Sequence, residues 1–203
     1  MKINLTQNKN FKLFKIISKV AQENNQTVYI VGGYVRDLLM QRKAPTDIDF
    51  VTEQSGIELA KAVGKELGDL KVSVFKTYGT AMIKYKDLDL EFVGARKESY
   101  SEDSRKPAVE TGTLEDDQKR RDFTVNALAI SLNAENFGEL IDPFNGREDM
   151  QNKILRTPLE PAQTYSDDPL RMMRAIRFAS VLHFEIEKNS LEAIIQEAED
   201  RKS

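Results

Sequence analysis

Asp47 and Asp49, spaced two residues apart, are the side chains of this chain most suited to chemistry. They lie in an apolar stretch at residues 46–51 that predicts a β-strand, and alternate residues of a strand point to the same face. Two carboxylates side by side repel each other unless a cation lies between them. Mg²⁺ is a candidate for this cation, because carboxylates bind it together with the oxygens of phosphate groups. For Asp-x-Asp alone, a solvated aspartate-rich turn is the alternative.

A double glycine one strand earlier favours a metal–phosphate site over that alternative. An apolar strand predicted at residues 27–31 runs into Gly32 and Gly33, and a short helix that carries Arg36 follows. Glycines after a strand let backbone N–H groups approach a ligand closely, and the start of a helix favours anions. Together with the two aspartates, this arrangement predicts a Mg²⁺–triphosphate site in which Arg36 contacts a phosphate.

Asp89 and Glu91 offer a third carboxylate. Residues 88–93 alternate between apolar and polar types, so both side chains share one face of a strand and could reach the aspartate pair from a neighbouring strand. Two-metal phosphoryl transfer uses about three carboxylates to hold its metal ions. We select Glu91 for this role, with ordinary solvent-facing charge as the alternative for both residues.

A second polar cluster consists of Arg120, Arg121 and Asp122, followed by Asn126 in an otherwise apolar run. Arginine grips phosphate and sugar oxygens with its planar fork, and a buried amide must find a hydrogen-bond partner. A ligand phosphate or ribose hydroxyl is one candidate partner for Asn126. A surface ion-pair network is the alternative for the charged residues.

Asp167, Asp168 and Arg171 lie at the start of a helix predicted over residues 166–182, with Ser166 as its N-cap. Capping and compensation of the helix dipole explain such residues without any ligand. However, Asp168 and Arg171 share one helix face, and an acceptor beside a donor matches the Watson–Crick edge of cytosine and of adenine. Uracil and guanine present the reverse order, so the pair is expected to accept C and A and to reject U and G.

The remaining pattern predicts an antiparallel or mixed sheet with helices, because several strands follow one another directly. Residues 94–118 are polar and contain Pro107 and Gly112, so they predict a long loop. Past residue 157 the pattern is purely helical. The predicted helices span residues 7–24, 34–41, 55–67, 166–182 and 189–200, and the predicted strands span residues 27–31, 46–51, 71–76, 80–85, 88–93 and 138–141.

Composition excludes several classes of protein. The chain has 203 residues, no cysteine and a single histidine, His183, which excludes disulfides, thiolate metal sites and two-histidine metal sites. No apolar run approaches the roughly 20 residues of a membrane-spanning helix, and the N-terminus does not resemble a signal peptide, so a cytoplasmic protein is expected. Because the net charge is −3, any surface that binds RNA or nucleotides must be locally basic.

Four motifs together resemble those of the class II tRNA nucleotidyltransferases, the CCA-adding enzymes, and of the related bacterial poly(A) polymerases. The resemblance covers about residues 10–200 in the order of the family, and the Arg-Arg-Asp-Phe-Thr-x-Asn-Ala block is its most specific part. The motifs are Gly32-Gly33-Tyr34-Val35-Arg36-Asp37, Asp47-Ile48-Asp49, Arg120-Arg121-Asp122-Phe123-Thr124-Val125-Asn126-Ala127 and Asp167-Asp168-Pro169-Leu170-Arg171.

The resemblance implies an α+β fold, with a polymerase-beta-like nucleotidyltransferase head (a mixed sheet flanked by helices) over residues 1–157 and the start of an all-helical neck over residues 158–203. It implies template-independent addition of C, C and A to the tRNA 3′ end from CTP and ATP, with Mg²⁺ as cofactor and release of pyrophosphate. Asp47 and Asp49 then hold the metal, and with Glu91 they form the catalytic set. The residues implied in nucleotide binding are Gly32, Gly33, Arg36, Arg120, Arg121, Asp122, Asn126, Asp167, Asp168, Arg171 and Arg174.

Two departures from the family pattern affect this interpretation. The base-reading motif begins with Asp167 where the family usually has Glu, so we expect altered positioning and retained selectivity. The family also continues into a helical body and tail that clasp the tRNA. We therefore expect this chain to be a fragment in which nucleotide binding survives and tRNA binding is impaired.

Three alternatives stay open. The first is a poly(A) polymerase or an enzyme that adds only CC or only A. Residues 72–93 lack the basic–aromatic signature of the proteobacterial poly(A) polymerases, and the long 94–118 segment is atypical of CC-only enzymes. The second alternative is an inactive nucleotide- or RNA-binding module. The third is a small-molecule nucleotidyltransferase, which would have no use for a C/A-selective pair.

Overall fold

The computed structural model describes residues 1–43, 45–101 and 104–200, and the chain divides into two compact units. The first unit consists of Met1–Asp117 and Ala129–Ile141, and the second of Gln118–Leu128 and Asp142–Ser203. In the described part of the chain, no helix has the length and apolar character needed to cross a membrane. The predicted division into head and neck at residue 157 concerns functional domains and stays a prediction.

The first unit is built on a mixed β-sheet. Its strands, in chain order, are β1 (Tyr29–Val31), β2 (Asp47–Thr52), β3 (Val72–Phe75), β4 (Thr80–Tyr85), β5 (Leu88–Gly94), β6 (Arg96–Ser101), β7 (Ser104–Thr111), β8 (Ala129–Ser131) and β9 (Leu140–Ile141). The main sheet has the strand order β3-β4-β5-β2-β1-β8-β9. Strands β2 and β5 run parallel, whereas the other neighbours in this sheet are antiparallel.

Helices flank this sheet. The helices of the unit are α1 (Phe11–Glu23), α2 (Gly33–Leu39), α3 (Gly56–Glu66) and α4 (Leu114–Lys119), of which the last two residues belong to the second unit. Phe50 of β2 stacks on Phe92 of β5 with ring centroids 5.0 Å apart, and Phe14 of α1 meets Phe50 edge-on at 6.4 Å. Because alternate strand residues face opposite ways, this buried aromatic layer directs the intervening residues of β2 and β5 to the other face.

Local hydrogen bonds fix where two of these helices begin. The Ser55 hydroxyl accepts from the Glu58 N–H at 3.2 Å and so caps the start of α3. Helix α1 begins at Phe11, not at the predicted residue 7. Asn8 Oδ1 accepts from the Asn10 N–H at 2.9 Å, and such a turn competes with helical hydrogen bonding.

The prediction of a long loop over residues 94–118 is wrong. Strands β6 and β7 pair antiparallel from Arg96 opposite Thr111 to Ser101 opposite Ser104, and α4 follows them. Residues 102 and 103 lie outside the described residues. The hairpin escaped prediction because its strands are polar at consecutive positions, so no alternation of apolar and polar residues marks them.

The second unit is mainly helical. Its elements are the 3-10 turn Thr124–Asn126, α5 (Gly146–Asn152), β10 (Ile154–Leu155), α6 (Pro161–Asp167), α7 (Leu170–Leu182), β11 (Glu185–Ile186) and α8 (Lys188–Asp200). A Cβ atom at Gly146 would lie 2.2 Å from the Thr124 carbonyl oxygen, so only glycine allows α5 to approach that turn. The short strand β11, which pairs parallel with β10, interrupts the pattern that was predicted to be purely helical past residue 157.

The prediction of one helix over residues 166–182, capped by Ser166, is also wrong. Ser166 lies within α6, and α7 begins only at Leu170. Proline disfavours helical geometry in the residue before it, and Asp168 accordingly has φ −143° and ψ 96°. The helix is therefore interrupted between Asp167 and Leu170, and this interruption exposes Asp168 at the junction of α6 and α7.

Candidate functional site

Four carboxylates lie on one face of β2 and β5. The parallel register places Asp47 beside Asp89 and Asp49 beside Glu91. This face is opposite to the one that carries Phe50 and Phe92. A third carboxylate therefore lies beside the aspartate pair, as predicted, because the sheet register pairs two strands that are distant in sequence.

The two candidates for the third carboxylate have different surroundings. Burial raises the pKa of Glu91, the charge of Asp49 raises it further, and Arg96 opposes this shift. Asp89 instead has a cation partner, since Lys84 Nζ lies 3.2 Å from Asp89 Oδ1. The strand register places Glu91 beside the Asp49 carboxylate, which is the relation expected of two groups that share a cation. This difference favours Glu91.

The carboxylates do not by themselves enclose a metal ion. Within the described ranges, no three carboxylate, imidazole or thiol groups are close enough together to do so. Mg²⁺ commonly keeps several waters and binds through one or two carboxylates together with substrate phosphates. Asp47 and Asp49 therefore fit a divalent metal that arrives with a phosphate ligand, and they do not fit a metal held by the protein alone.

The glycine turn lies at the same end of the sheet as the aspartates. Strand β1 is antiparallel to β2 with Val31 opposite Asp49, so Gly32 and Gly33 follow at the Asp47 end. Gly32 has φ 71° and ψ −138°, a backbone conformation that residues other than glycine strongly disfavour. The Arg36 guanidinium lies near this turn, since Arg36 Nη2 is 3.6 Å from where a Gly33 Cβ would stand.

Arg36 and Tyr34 show how α2 is held. Arg36 is 8% exposed and its Nε donates to Asp37 Oδ1 at 2.9 Å. The Tyr34 hydroxyl donates to Asn8 Oδ1 at 3.1 Å and accepts from Asn10 Nδ2 at 3.1 Å. Sequence reasoning missed this role of Tyr34, because only the structure shows the asparagines before α1 beside α2. The three polar side chains fasten the helix that follows the glycine turn.

In the second unit, Asp122 is the centre of a hydrogen-bond network. Its Oδ1 accepts from the Phe123 N–H at 2.8 Å and from Asn126 Nδ2 at 3.0 Å. Its Oδ2 accepts from Arg174 Nε at 2.8 Å and lies 2.7 Å from Arg174 Nη2. The buried Asn126 amide thus has a partner four residues earlier in the chain, which the sequence analysis did not identify.

Asp168 and Arg171 lie side by side next to this network. Arg171 Nη2 donates to the Arg120 carbonyl oxygen at 2.8 Å, and Arg171 Nε is 3.6 Å from Asp168 Oδ2. The Asp168 Oδ1 accepts from the Leu170 N–H at 3.1 Å, which fixes this carboxylate at the start of α7. An acceptor and a donor are thus held as neighbours.

Two further candidate residues, Asp167 and Arg121, each contact a residue of the second unit. Asp167 lies at the end of α6, where its carboxylate accepts from Gln163 Nε2. Arg121 Nη1 is 3.5 Å from the Asn126 carbonyl oxygen.

The candidate residues form two sets, one in each unit. Asp47, Asp49, Glu91, Gly32, Gly33 and Arg36 belong to the first unit, and Arg120, Arg121, Asp122, Asn126, Asp167, Asp168, Arg171 and Arg174 belong to the second.

Residues 28–156 match the protein family described as the poly A polymerase head domain. The chain belongs to this family. It is 44% identical over 170 residues to the A-adding tRNA nucleotidyltransferase of Aquifex aeolicus (strain VF5), covering 84% of this chain and 20% of the relative. It is 38% identical over 184 residues to the CCA-adding enzyme of Geobacillus sp. (strain WCH70), covering 90% of this chain and 43% of that relative.

The family fold is confirmed by similarity to solved structures. A crystal structure of tRNA nucleotidyltransferase complexed with a primer tRNA and an incoming ATP analog superposes with a TM-score of 0.78 at 39% identity, covering 89% of this chain and 49% of that one. The mixed sheet flanked by helices and the polymerase-beta-like head are thus as predicted. The chain spans less than half the length of these relatives. Nucleotidyltransferases in general use divalent metal ions.

Proposed function

We propose that the intact protein is a template-independent tRNA nucleotidyltransferase, which adds C, C and A to the 3′ end of tRNA from CTP and ATP. The observation that carries this proposal is the register of β2 and β5, which places Glu91 beside Asp49 at the end of the sheet where the Gly32–Gly33 turn lies. Carboxylates beside a turn that can approach phosphates are the parts that nucleotidyl transfer needs. Family membership supports it.

The reaction is attack of the tRNA 3′-hydroxyl oxygen on the α-phosphorus of the nucleotide, with pyrophosphate as leaving group. Asp47 and Asp49 hold Mg²⁺, and Glu91 completes the catalytic set. When bound, the metal neutralises charge on the reacting phosphate oxygens. The protein's own part is to position the reactants.

Binding of the nucleotide is divided among named groups. Gly32, Gly33 and Arg36 bind the triphosphate. In the second unit Arg120, Asp122 and Asn126 position the sugar and phosphates, and Arg121 and Arg174 belong to the same nucleotide-binding set. Asp168 and Arg171, with Asp167 before them, read the base edge, because the Arg171 anchor on the Arg120 carbonyl fixes the donor beside the acceptor.

Three further parts of the proposal concern the whole protein. Residues 1–157 form the catalytic head, and residues 158–203 begin the neck. The metal is Mg²⁺, since its ligands are carboxylates and phosphates. The protein acts in the cytoplasm, on tRNA.

Nucleotide selectivity tests the base-reading part. Calorimetry of the chain with CTP, ATP, UTP and GTP in the presence of Mg²⁺ is expected to show about tenfold or tighter binding of CTP and ATP, since a mismatched edge leaves polar groups unpaired. Arg171→Ala should equalise the four affinities. Equal binding of all four nucleotides by the unaltered chain would refute base reading and leave only the triphosphate site.

Catalysis is tested by matched substitutions on one face of the sheet. In the intact protein, Asp47→Ala and Glu91→Ala should each lower the rate of pyrophosphate release at least about 100-fold, the scale of losing a preorganised electrostatic group. Asp89→Ala, on the same face but paired with Lys84, is the control and should stay within a few-fold. Near-normal turnover of Asp47→Ala contradicts the assignment, and no Mg²⁺-dependent pyrophosphate release at all indicates an inactive binding module.

Addition of A alone is the second candidate, because a relative 44% identical to this chain is an A-adding enzyme. Product length separates the candidates. On a tRNA that ends before CCA, a CCA-adding enzyme adds three nucleotides, whereas an A-adding enzyme extends only a tRNA that already ends in CC. A long A tail would indicate a poly(A) polymerase.

A further inference from the structure

Basic residues are unevenly distributed along this chain. The first 22 residues contain five lysines, Lys2, Lys9, Lys12, Lys15 and Lys19, and none of the 33 acidic residues. The chain as a whole has a net charge of −3, so attraction of a polyanion requires a local basic surface. The N-terminal segment is a region of that kind, and the proposed catalytic and base-reading residues do not include it.

Helix α1 presents three of these lysines, Lys12, Lys15 and Lys19, to solvent. Its buried side includes Leu13, Phe14 and Ile17, whereas Lys12 and Lys15 lie one turn apart on the exposed side. Further along the same side, the positive charge of Lys19 is compensated by two carboxylates. Lys19 Nζ lies 3.1 Å from a carboxylate oxygen of Glu66 and 3.7 Å from one of Glu23.

The other four lysines differ from Lys19. Among the residues that the structure describes, Lys2, Lys9, Lys12 and Lys15 form no ion pair, and all four are exposed. We call these four residues the N-terminal basic surface. Their charges are available to an external anion.

An aromatic groove adjoins this surface. Lys2 and Lys15 line a groove of about 340 Å³ together with Phe11 and Phe137. The two rings meet edge-on with centroids 6.3 Å apart, and Lys15 Nζ lies 4.7 Å from the Phe137 ring centroid. Cations that follow a phosphate backbone beside aromatic rings that contact bases are the combination used to bind RNA strands.

We propose that the N-terminal basic surface binds the phosphate backbone of the RNA substrate. The identity of that RNA as tRNA rests on the proposed function. Helix α1 packs on the aromatic side of the sheet and the catalytic carboxylates lie on the other, so this surface binds a part of the RNA other than the reacting 3′ nucleotide. An anionic membrane fits less well, because the apolar side of α1 is already buried and offers nothing to insert into a bilayer.

Neutralising substitutions test the surface against a matched control. The surface variant is Lys2→Gln/Lys12→Gln/Lys15→Gln. The control variant, Lys19→Gln/Lys61→Gln/Lys188→Gln, removes the same charge from lysines that already have carboxylate partners. Each variant is made in the intact protein, and fluorescence anisotropy measures its affinity for a labelled tRNA transcript that ends before CCA, at several salt concentrations.

The surface variant should lose at least about tenfold in affinity for this transcript. The slope of log affinity against log salt should become shallower by about 2, since each lost phosphate contact contributes about 0.7 to 0.9. The control variant should keep the affinity within about threefold and keep the slope. Replacing the same three surface residues by arginine should restore binding, because the charge is retained.

Three results would overturn the proposal. These are no binding of the transcript by the unaltered intact protein at low salt, equal losses in the surface and control variants, or unchanged RNA binding with loss of binding to phosphatidylserine-containing vesicles. The last result would indicate a membrane surface. Affinity for CTP is measured in parallel and should not change in either variant, so failure of the RNA surface and failure of the proposed nucleotide site are distinguishable.

Discussion

At the scale of single residues, the pairing of Arg174 with Asp122 decides how firmly α7 is held to residues 118–128. Arg171 bonds to the Arg120 carbonyl, and one helical turn later Arg174 contacts Asp122 through two nitrogens. The Asp122 side chain is only 8% exposed. We therefore expect Arg174 to position the neighbouring Asp168–Arg171 pair, which is proposed to read the base, as well as to compensate a buried charge.

Arg174→Gln is expected to lower the free energy of unfolding by about 1–3 kcal/mol, because Asp122 is left buried without its cation. It should also reduce the preference for CTP and ATP over UTP and GTP by about tenfold, since α7 loses one of two anchors near Arg171. Urea denaturation and calorimetry measure the two effects. A variant that loses stability but keeps full selectivity would show that the pair is structural only.

Arg177→Gln is the matched control for that prediction. Arg177 lies one turn further along α7, with its guanidinium 5.9 Å from the Phe178 ring centroid, and among the described residues it forms no ion pair. Its replacement should change stability by less than about 0.5 kcal/mol and leave selectivity unchanged. Equal effects of the two substitutions would contradict the positioning role of Arg174.

At the scale of elements, the hold on α2 depends on the Tyr34 hydroxyl. Tyr34 is 2% exposed and bonds to Asn8 and Asn10. Tyr34→Phe should lower the free energy of unfolding by about 1–3 kcal/mol at pH 7, because the buried Asn10 amide is left without this partner. Urea denaturation measures the loss, and a loss below about 0.3 kcal/mol would show that the hydroxyl does not hold the helix.

The same hydroxyl predicts a pH dependence. Burial raises the pKa of Tyr34 above its ordinary value of about 10, while the hydrogen bonds with Asn10 and Asn8 act in the opposite direction. Above about pH 10 the unfolded chain releases this proton before the folded chain does, so stability falls as pH rises. The stability difference between the unaltered chain and Tyr34→Phe should be constant from about pH 7 to 9 and shrink above about pH 10. A difference that is unchanged at about pH 11 contradicts this assignment.

Sequence patterns predicted the elements that have an apolar face. Strands β2, β4 and β5 were placed within a residue or two, because alternation marks a strand with one buried side. The hairpin of β6 and β7 lacks that alternation, and the break at Pro169 was taken for the first turn of a single helix. The parallel pairing of β2 with β5 joins strands separated in the chain by α3, β3 and β4, and no local pattern specifies such a register.

The same limit applied to the site. The spacing of residues along the chain selected Asp47, Asp49 and Glu91 as candidates. A physical reason to prefer Glu91 over Asp89 came only from the Lys84 partner of Asp89, which the sheet provides. Asn126 was predicted to need a partner, and the partner is a side chain whose position depends on the 3-10 turn at Thr124–Asn126. Side-chain partners across such turns follow from tertiary structure. The sequence therefore indicated that Asn126 needs a partner, and only the structure identifies Asp122 as that partner.

At the scale of the whole molecule, the compact units do not follow the order of the chain. Residues 118–128 belong to the second unit, although residues 129–141 return to the sheet of the first. The second unit contains pairs that join residues before 157 to residues after it. Leu155 pairs with Ile186, and Asp122 with Arg174. A chain that ends at residue 157 would lose both of these contacts.

A fragment of residues 1–157 is therefore expected to keep the sheet and lose the order of residues 118–128. Hydrogen exchange should show protected amides in β2 and β5, as in the full chain, whereas the amides of Phe123 and its neighbours exchange at least about 100-fold faster, because the Phe178 ring and the Arg174 guanidinium are gone. The protected strands are the internal control for folding. If residues 118–128 stay as protected as in the full chain, the proposed head domain ending at residue 157 is autonomous, and the dependence of Asp122 on α7 is refuted.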